Sequence, residues 1–204
     1  HSFPTRRSSD LALVLFDGAY VAHRLHKELV KQLLPNKKNS SLHYADITDK
    51  NLKLSVAEVL AMQSVQCFTA CFYHDGTEKS HNERFDIYTS LIKLCLADAL
   101  EIHEHLDVSI AQQGGWNTYS GALTNELNEI VCEKSARFGF RKATFSFKPA
   151  AKPGIQFADF YAGATRGHLL KHRDLTLGAP FDLVAHQIRE IRTYNFDFSA
   201  KAKG

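Results

Sequence analysis

The sequence predicts a three-layer α/β domain with a partly parallel sheet. Short apolar runs, typical of buried strands, alternate with longer segments whose apolar residues recur every three or four positions, which is typical of amphipathic helices. Parallel pairing is expected when helices connect successive strands. The 204 residues, 44% of them apolar, are enough for one hydrophobic core and indicate one domain.

The first half of the chain alternates strands and helices. Residues 11–16 are a continuous apolar run, as expected of a buried strand, and residues 20–34 have helical spacing and stop before Pro35. The other predicted elements are a short extended piece at 42–47, a helix to residue 63 capped by Thr48 or Asp49, a strand at 65–74, and the longest helix at 80–105, with Ser80 and Glu83 as a capping box.

The second half continues the pattern. Predicted strands at 107–111 and 143–147 flank an amphipathic helix at 118–138, which is expected to end at Gly139. A helix at 154–170 follows a loop that contains two prolines. A final amphipathic element of unspecified type is predicted at 182–194.

The first eleven residues, HSFPTRRSSDL, resemble a sequencing-library adapter translated in frame. We therefore interpret residues 1–11 as an artefactual leader and exclude them from fold prediction, as for a tag. On this interpretation residues 12–204 are a single domain whose native N-terminal segment is missing. The alternative is a basic N-terminal arm containing Arg6 and Arg7.

Composition narrows the function classes. A formal net charge of +3 neither indicates nor excludes a nucleic-acid partner. No apolar run is long enough to span a membrane. The four cysteines have no CxxC spacing and no secretion signal precedes them, so we expect buried, reduced thiols in a cytoplasmic protein. The common nucleotide-binding and hydrolase signatures are absent from the sequence.

Asp159 is the anomaly of the sequence. It lies on an otherwise apolar, small-residue helix and shares a face with Ile155, Ala162 and Arg166. Burying an unpaired charge costs several kcal/mol. This carboxylate is therefore expected either to form an ion pair or to belong to a functional site. One interpretation is a structural ion pair with Arg166 or a loop lysine, and the other is a functional site.

Sites of α/β domains collect at strand ends. The polar residues expected there, as candidates for one cleft, are Asp17, His43 with Asp46, Gln112 with Gln113, and Asp159. Carboxylates that converge in such a cleft can bind a hard divalent cation, which prefers several oxygen ligands. In phosphodiester chemistry such a cation activates water and stabilises the leaving oxygen.

Two motifs carry a family resemblance that covers roughly residues 11–170. GIQFADFYAGATR, from Gly154 to Arg166, resembles the lQlADliaGa helix motif of the domain of unknown function 3800 family, and LHYAD, from Leu42 to Asp46, is similar to its elHasd step. The resemblance implies a ribonuclease H-like fold, with a mixed five-stranded sheet flanked by helices, and an acidic cluster for Mg²⁺ or Mn²⁺. Members are mostly bacterial proteins in which nuclease activity is suspected from the fold.

The sequence departs from the family pattern at two places. Family members open with a strand that ends in Asp-Glu-Ser-Gly, which this chain lacks, and Gln112 stands where an acidic residue is expected. An amide cannot replace the charge of a carboxylate at a two-metal site. We therefore expect the domain to lack its first strand, and this fragment to be catalytically inactive.

The resemblance implies specific roles for the candidate residues. They are Asp159 and Asp46 as metal ligands, His43 as a catalytic neighbour, Lys148, Lys152 and Arg166 as phosphate-binding residues, and Gln112 and Gln156 as supporting residues. The leading hypothesis is a fragment of a metal-dependent nuclease that hydrolyses a phosphodiester. The alternative is a non-catalytic ribonuclease H-like module that binds a protein or a nucleic acid.

Overall fold

The computed structural model of the protein describes residues 8–34, 41–73, 79–112, 117–172 and 174–194. In chain order, their helices and strands are β1 (Ser8–Leu15), α1 (Ala19–Leu33), α2 (Lys50–Ala61), β2 (Gln66–Tyr73), α3 (His81–Ile102), β3 (His105–Ala111), α4 (Ser120–Phe138), β4 (Lys142–Lys148), α5 (Pro153–Leu169), α6 (Ala179–Val184) and β5 (Ile188–Tyr194). Short 3₁₀ turns precede α4 and lie on either side of α6. The predicted α/β class is confirmed.

Several helix ends follow the predicted signals. The Asp49 carboxylate accepts hydrogen bonds from two backbone N–H groups in the first turn of α2. Ser80 and Glu83 form the reciprocal capping box of α3. Helix α4 ends at Gly139, whose φ of 84° lies in the region that glycine tolerates best. The local sequence therefore determines where these helices begin and end.

The five described strands form two sheets. In the first, the strand order is β1-β2-β5, with β1 antiparallel and β5 parallel to β2. In the second, β3 and β4 are a parallel pair. Strand β1 includes residues 8–11 of the segment interpreted as a leader, and residues 1–7 lie outside the described residues. The resemblance implies one mixed five-stranded sheet, whereas the five described strands are divided between a three-stranded and a two-stranded sheet.

Helices cover both faces of the strands. Leu11 and Leu13 of β1 pack into the apolar clusters formed with α3 and α4. Ala12 and Val14, on the opposite face, pack into the cluster formed with α1, α2, α5 and α6. Alternate residues of a strand point to opposite faces of the sheet. This arrangement is compatible with the predicted three layers.

Three predictions need correction. Residues 42–47 are not extended but contain a turn, closed by the Asp46 N–H, which donates to the His43 carbonyl over 3.0 Å. The element predicted at 182–194 divides into the end of α6, a 3₁₀ turn and β5, because its β-branched residues can pair with β2. Cys132 is exposed, whereas the other three cysteines are buried, and all four are free thiols.

None of the helices formed by the described residues combines the length and the apolarity needed to cross a membrane.

Candidate functional site

Asp159 joins α5 to the turn that follows α1. Its Oδ2 atom accepts a hydrogen bond from the backbone N–H of Tyr44 over 2.8 Å and lies 3.3 Å from Nδ1 of His43. The side chain is 46% exposed, so the carboxylate remains accessible to solvent. The predicted alternative of an ion pair with Arg166 is not found, because the guanidinium of Arg166 pairs with Asp10.

Gln156 holds the same turn one helical turn earlier on α5. Its Oε1 atom accepts the backbone N–H of Leu42 over 2.6 Å and lies 3.2 Å from Nε2 of His26 on α1. Its Nε2 atom donates to the carbonyl of Ala151 over 3.0 Å. One buried amide therefore connects α1, the turn and the loop before α5, which supports the positions of His43 and Tyr44.

The small residues of α5 let this turn approach the helix closely. A Cβ atom added to Gly163 would lie 2.3 Å from Cγ of Tyr44, well inside any allowed contact. The Tyr44 ring is buried and packs edge-on against Phe160, with 5.4 Å between ring centroids. The glycine is therefore required by packing, and the packing in turn places the Tyr44 N–H against Asp159.

Asp10 brings a second carboxylate to this region. Its Oδ1 atom lies 3.0 Å from Nη1 of Arg166, and the side chain is 10% exposed. Burial is the largest cause that raises the pKa of Asp10, to about 6, and the neighbouring Asp159 adds to this effect. Arg166 acts in the opposite direction through its charge and its hydrogen bond, but burial outweighs it.

Lys53 of α2 contributes a second cation. Its Nζ atom lies over the Tyr44 ring, 4.2 Å from the centroid. Burial lowers the pKa of Lys53, and the positive charge of Arg166 lowers it further. We call Asp10, His43, Lys53, Asp159 and Arg166 the polar cluster. It combines two carboxylates, two cations and the His43 ring.

The polar cluster lies at one end of an apolar cleft. A cavity of about 190 Å³ opens between β1 and β3 and is bordered by α3 and α5. Asp10, His43 and Asp159 line its polar part, and most of the remaining wall is apolar. The cleft could therefore accept a ligand with an extended apolar part and a polar end.

The structure brings together some of the predicted site residues and not others. His43 and Asp159 are in contact, and Arg166 lies nearby through its pair with Asp10. Asp46 is exposed and accepts a hydrogen bond from the Ser41 hydroxyl over 2.6 Å, which stabilises the turn. Asp46 therefore stabilises the turn that carries His43, and it does not line the cleft.

The remaining candidates lie outside the cleft wall. Lys148 and Lys152 are exposed near the two ends of the β4–α5 loop. Gln112 is exposed, and its backbone N–H donates to the Lys148 carbonyl over 2.8 Å, which prolongs the pairing of β3 with β4. Asp17 is exposed just after β1, and Gln113 lies outside the described residues.

Three members of the site were not predicted from the sequence. Asp10 lies in the segment interpreted as a leader and so is not among the predicted site residues. A carboxylate at the start of an apolar strand could have indicated it as a candidate. Tyr44 and Lys53 carry no local signal, because their proximity to Asp159 and Arg166 depends on how the 42–46 turn and α2 pack against α5.

The described residues include few candidate ligands for a divalent metal. Among them, no group of three or more His, Cys, Asp or Glu side chains is arranged to hold a metal ion. Two carboxylates are present, but Asp10 is already engaged by Arg166, and Mg²⁺ requires a nearly octahedral shell of oxygens.

The comparisons with known proteins found no match. Neither the protein-family models, nor the curated proteins, nor the solved structures include one that matches this chain significantly.

Proposed function

We propose that this chain is a cytoplasmic, ribonuclease H-like protein of the domain of unknown function 3800 type, related to metal-dependent nucleases that hydrolyse a phosphodiester. In this proposal Asp159 is a ligand of Mg²⁺ or Mn²⁺, but the chain as written does not itself cleave. The supporting observation is the polar cluster, in which the accessible carboxylate of Asp159 contacts His43 at the end of the cleft. Arg166 pairs with the neighbouring Asp10, and Lys53 lies over the Tyr44 ring.

The contacts of the polar cluster suggest a division of roles. Both contacts of Asp159 use Oδ2, so we propose that Oδ1 faces the cation or a water molecule. Arg166 and Lys53 carry the positive charge that would meet phosphate oxygens. Lys148 and Lys152 would contact phosphates farther along a bound strand, while Asp46, Gln112 and Gln156 would support the site. When bound, the metal would supply Lewis-acid assistance.

The chain as written is expected to be catalytically inactive in this proposal. Arg166 already forms an ion pair with Asp10, and Gln112 provides an amide where a charged ligand is expected. These same observations favour a second candidate function, in which the fold binds a nucleic acid or a protein without cleaving it. The two functions differ in whether binding depends on a cation at Asp159.

The test compares metal and oligonucleotide binding by the same variants. Mn²⁺ binding is followed by electron paramagnetic resonance, and binding of a fluorescent single-stranded oligonucleotide by anisotropy at several salt concentrations. We expect Asp159→Asn to weaken Mn²⁺ binding by about tenfold or more, because a charged ligand is lost. Asp182→Asn, which removes an exposed carboxylate elsewhere, is the matched control and should bind like the wild type.

Two outcomes decide between the functions. Equal Mn²⁺ binding by the wild type and Asp159→Asn would remove Asp159 from any metal site. The non-catalytic module would be selected if oligonucleotide binding persists in EDTA and in Asp159→Asn. In that case Lys53→Gln should weaken binding and reduce the dependence of the affinity on salt concentration.

A further inference from the structure

Three exposed apolar side chains lie at the same end of the α3–α4 pair. Ile102 ends α3, Phe138 ends α4 and Phe140 follows in the loop to β4, and they are 56%, 37% and 67% exposed. The two helix ends are in contact, because Nζ of Lys134 lies 2.6 Å from Oε1 of Glu101. Large apolar residues that are exposed singly are ordinary, whereas a group of them often marks an interaction surface. This end of the pair is therefore a candidate surface of that kind.

The loop between α4 and β4 also brings cations to this end. The segment Lys134–Lys142, KSARFGFRK, has four basic residues and no acidic one. Three glutamates share this end of the pair, and they are Glu101, Glu104 and Glu133. Glu101 is already engaged by Lys134. Arg141 and Lys142 directly follow Phe140, so two cations are next to the most exposed ring in the chain.

The ring of Phe138 holds two of the cations close to the surface. It lies 5.0 Å from Cζ of Arg137 and 6.0 Å from Cζ of Arg141. The ring of Phe140 instead has the His105 ring beside it, with 5.4 Å between centroids, and Phe140 stays 67% exposed. Phe138 therefore positions cations, and Phe140 offers an aromatic face to solvent.

Arg141 is held by three hydrogen bonds. Its Nε atom donates to the Leu100 carbonyl over 2.6 Å, and its Nη1 atom donates to the Phe140 carbonyl over 2.9 Å. Its backbone N–H donates to the Ser135 hydroxyl oxygen over 3.1 Å. The bond to Leu100 stabilises the end of α3, but Nη2 makes no hydrogen bond with a described residue. A guanidinium held in this way can bind a phosphate oxygen through its remaining N–H groups with little loss of freedom.

We propose that this end of the α3–α4 pair binds a single-stranded nucleic acid, with a base stacked on Phe140 and phosphates at the cations. We call it the aromatic–basic surface, and its residues are Arg137, Phe138, Phe140, Arg141 and Lys142. Charge complementarity and the exposed ring favour this partner. Three apolar side chains make a smaller apolar face than that of the amphipathic helices that enter a bilayer.

The aromatic–basic surface is separate from the polar cluster. His105 pairs with Lys142 where β3 and β4 begin, whereas Ala111, at the other end of β3, lines the cleft. Six residues along a strand span about 20 Å. The inference therefore does not rest on a metal at Asp159 or on the cleft.

The probe is a fluorescent oligothymidylate of about twelve nucleotides, a length that single-strand sites accommodate. Binding is measured by anisotropy in EDTA, so that it is independent of metal. We expect Phe140→Ala to weaken binding by at least about fivefold and Phe140→Tyr to bind like the wild type, because stacking requires an aromatic face. Tyr20→Ala, which removes an exposed ring on α1, is the matched control and should bind like the wild type. An oligouridylate of the same length distinguishes RNA from DNA as the ligand.

Two further comparisons separate stacking from charge. An abasic strand of the same length should bind the wild type at least about fivefold more weakly than the oligothymidylate, and Phe140→Ala should bind it as the wild type does. Arg137→Gln should reduce the dependence of the affinity on salt concentration, whereas Arg24→Gln, at an exposed position on α1, should not. Thermal unfolding verifies that each variant is folded.

Four results would overturn the proposal. Equal binding by the wild type and Phe140→Ala, or equal binding of the abasic strand, would exclude stacking on Phe140. Binding of anionic lipid vesicles but not of oligonucleotides, lost in Phe140→Ala, would assign the surface to a membrane. A dimer in sedimentation that Phe140→Ala dissociates and the oligonucleotide does not would assign it to a second copy of this chain.

The same variants distinguish failure of this inference from failure of the proposed metal site. If Asp159→Asn weakens Mn²⁺ binding and Phe140→Ala leaves oligonucleotide binding unchanged, only this inference fails. If Phe140→Ala weakens oligonucleotide binding and Asp159→Asn leaves Mn²⁺ binding unchanged, only the metal site fails.

Discussion

Asp10 is a buried carboxylate whose ionisation opposes folding. Its pKa is about 6 in the folded chain, against 3.8 without the fold, so between these values the folded state binds more protons than the unfolded state. Stability therefore falls as the pH rises through this range. The contribution of protonated Asp10 to the free energy of unfolding is complete below pH 3.8 and is lost above about pH 6. It amounts to about 3 kcal/mol.

Asp10→Asn should remove this pH dependence. We expect the free energy of unfolding of the variant, relative to the wild type, to increase by up to about 3 kcal/mol between roughly pH 4 and pH 7. Urea unfolding at several pH values measures the difference. Asp182→Asn, at an exposed position, serves as the control and should follow the wild type. Parallel pH profiles for wild type and Asp10→Asn would show that Asp10 does not titrate in this way.

The contact between α5 and the 42–44 segment is the element that builds the polar cluster. Gly163→Ala places a methyl group against the Tyr44 ring, and because that ring is buried it must move. We expect a loss of about 1–3 kcal/mol in the free energy of unfolding. The shift of Tyr44 should also disturb the hydrogen bond that its N–H donates to Asp159.

Gly154→Ala is the matched control on the same helix. A Cβ atom at Gly154 meets no atom within 4 Å, so this change should be neutral or stabilise α5 by up to about 1 kcal/mol. Urea unfolding of both variants tests the pair. Equal stability of the two variants would mean that the approach of Tyr44 to α5 is looser than the packing requires.

At the scale of the whole molecule, the separation of the two sheets should be visible in hydrogen exchange. Strand β2 is central, with six successive buried residues. The β3–β4 pair has its buried residues on one face, where α3 and α4 pack, while Asp107 and Ser109 are exposed on the other. Two-stranded pairs are marginal without such packing.

We expect the amides of β3 and β4 to exchange through openings of lower free energy than those of β2. Native-state exchange followed by NMR measures both sets in one sample, so β2 is the internal reference. Uniform protection across both sheets would show that they open as a single cooperative unit, and would contradict the prediction.

Local signals in the sequence were sufficient for most elements. The Asp49 cap, the Ser80 capping box and Gly139 mark helix ends through contacts within a few residues, so they can be recognised from the local sequence. The 42–46 turn and β5 were harder to predict. The first depends on packing against α5, and the second on a partner strand about 120 residues away in the chain.

The sequence also singled out Asp159, because a charged residue on a small-residue helix is a local anomaly. The sequence did not indicate which residues contact Asp159. Arg166 shares its helical face, but pairs with Asp10, and the Asp159 carboxylate instead holds the backbone of Tyr44, 115 residues earlier. Helical spacing shows which side chains can meet and not which pairs form, since any partner from another element competes.

By itself, therefore, the sequence determined the α/β class and most of the helix and strand positions. These follow from periodicity, capping and local polarity, which act over a few residues. The tertiary structure alone decided that the strands divide into two sheets with the cleft between them, and that Asp10, paired with Arg166, lines this cleft together with Asp159. Such arrangements depend on contacts between residues far apart in the chain, which no local pattern specifies.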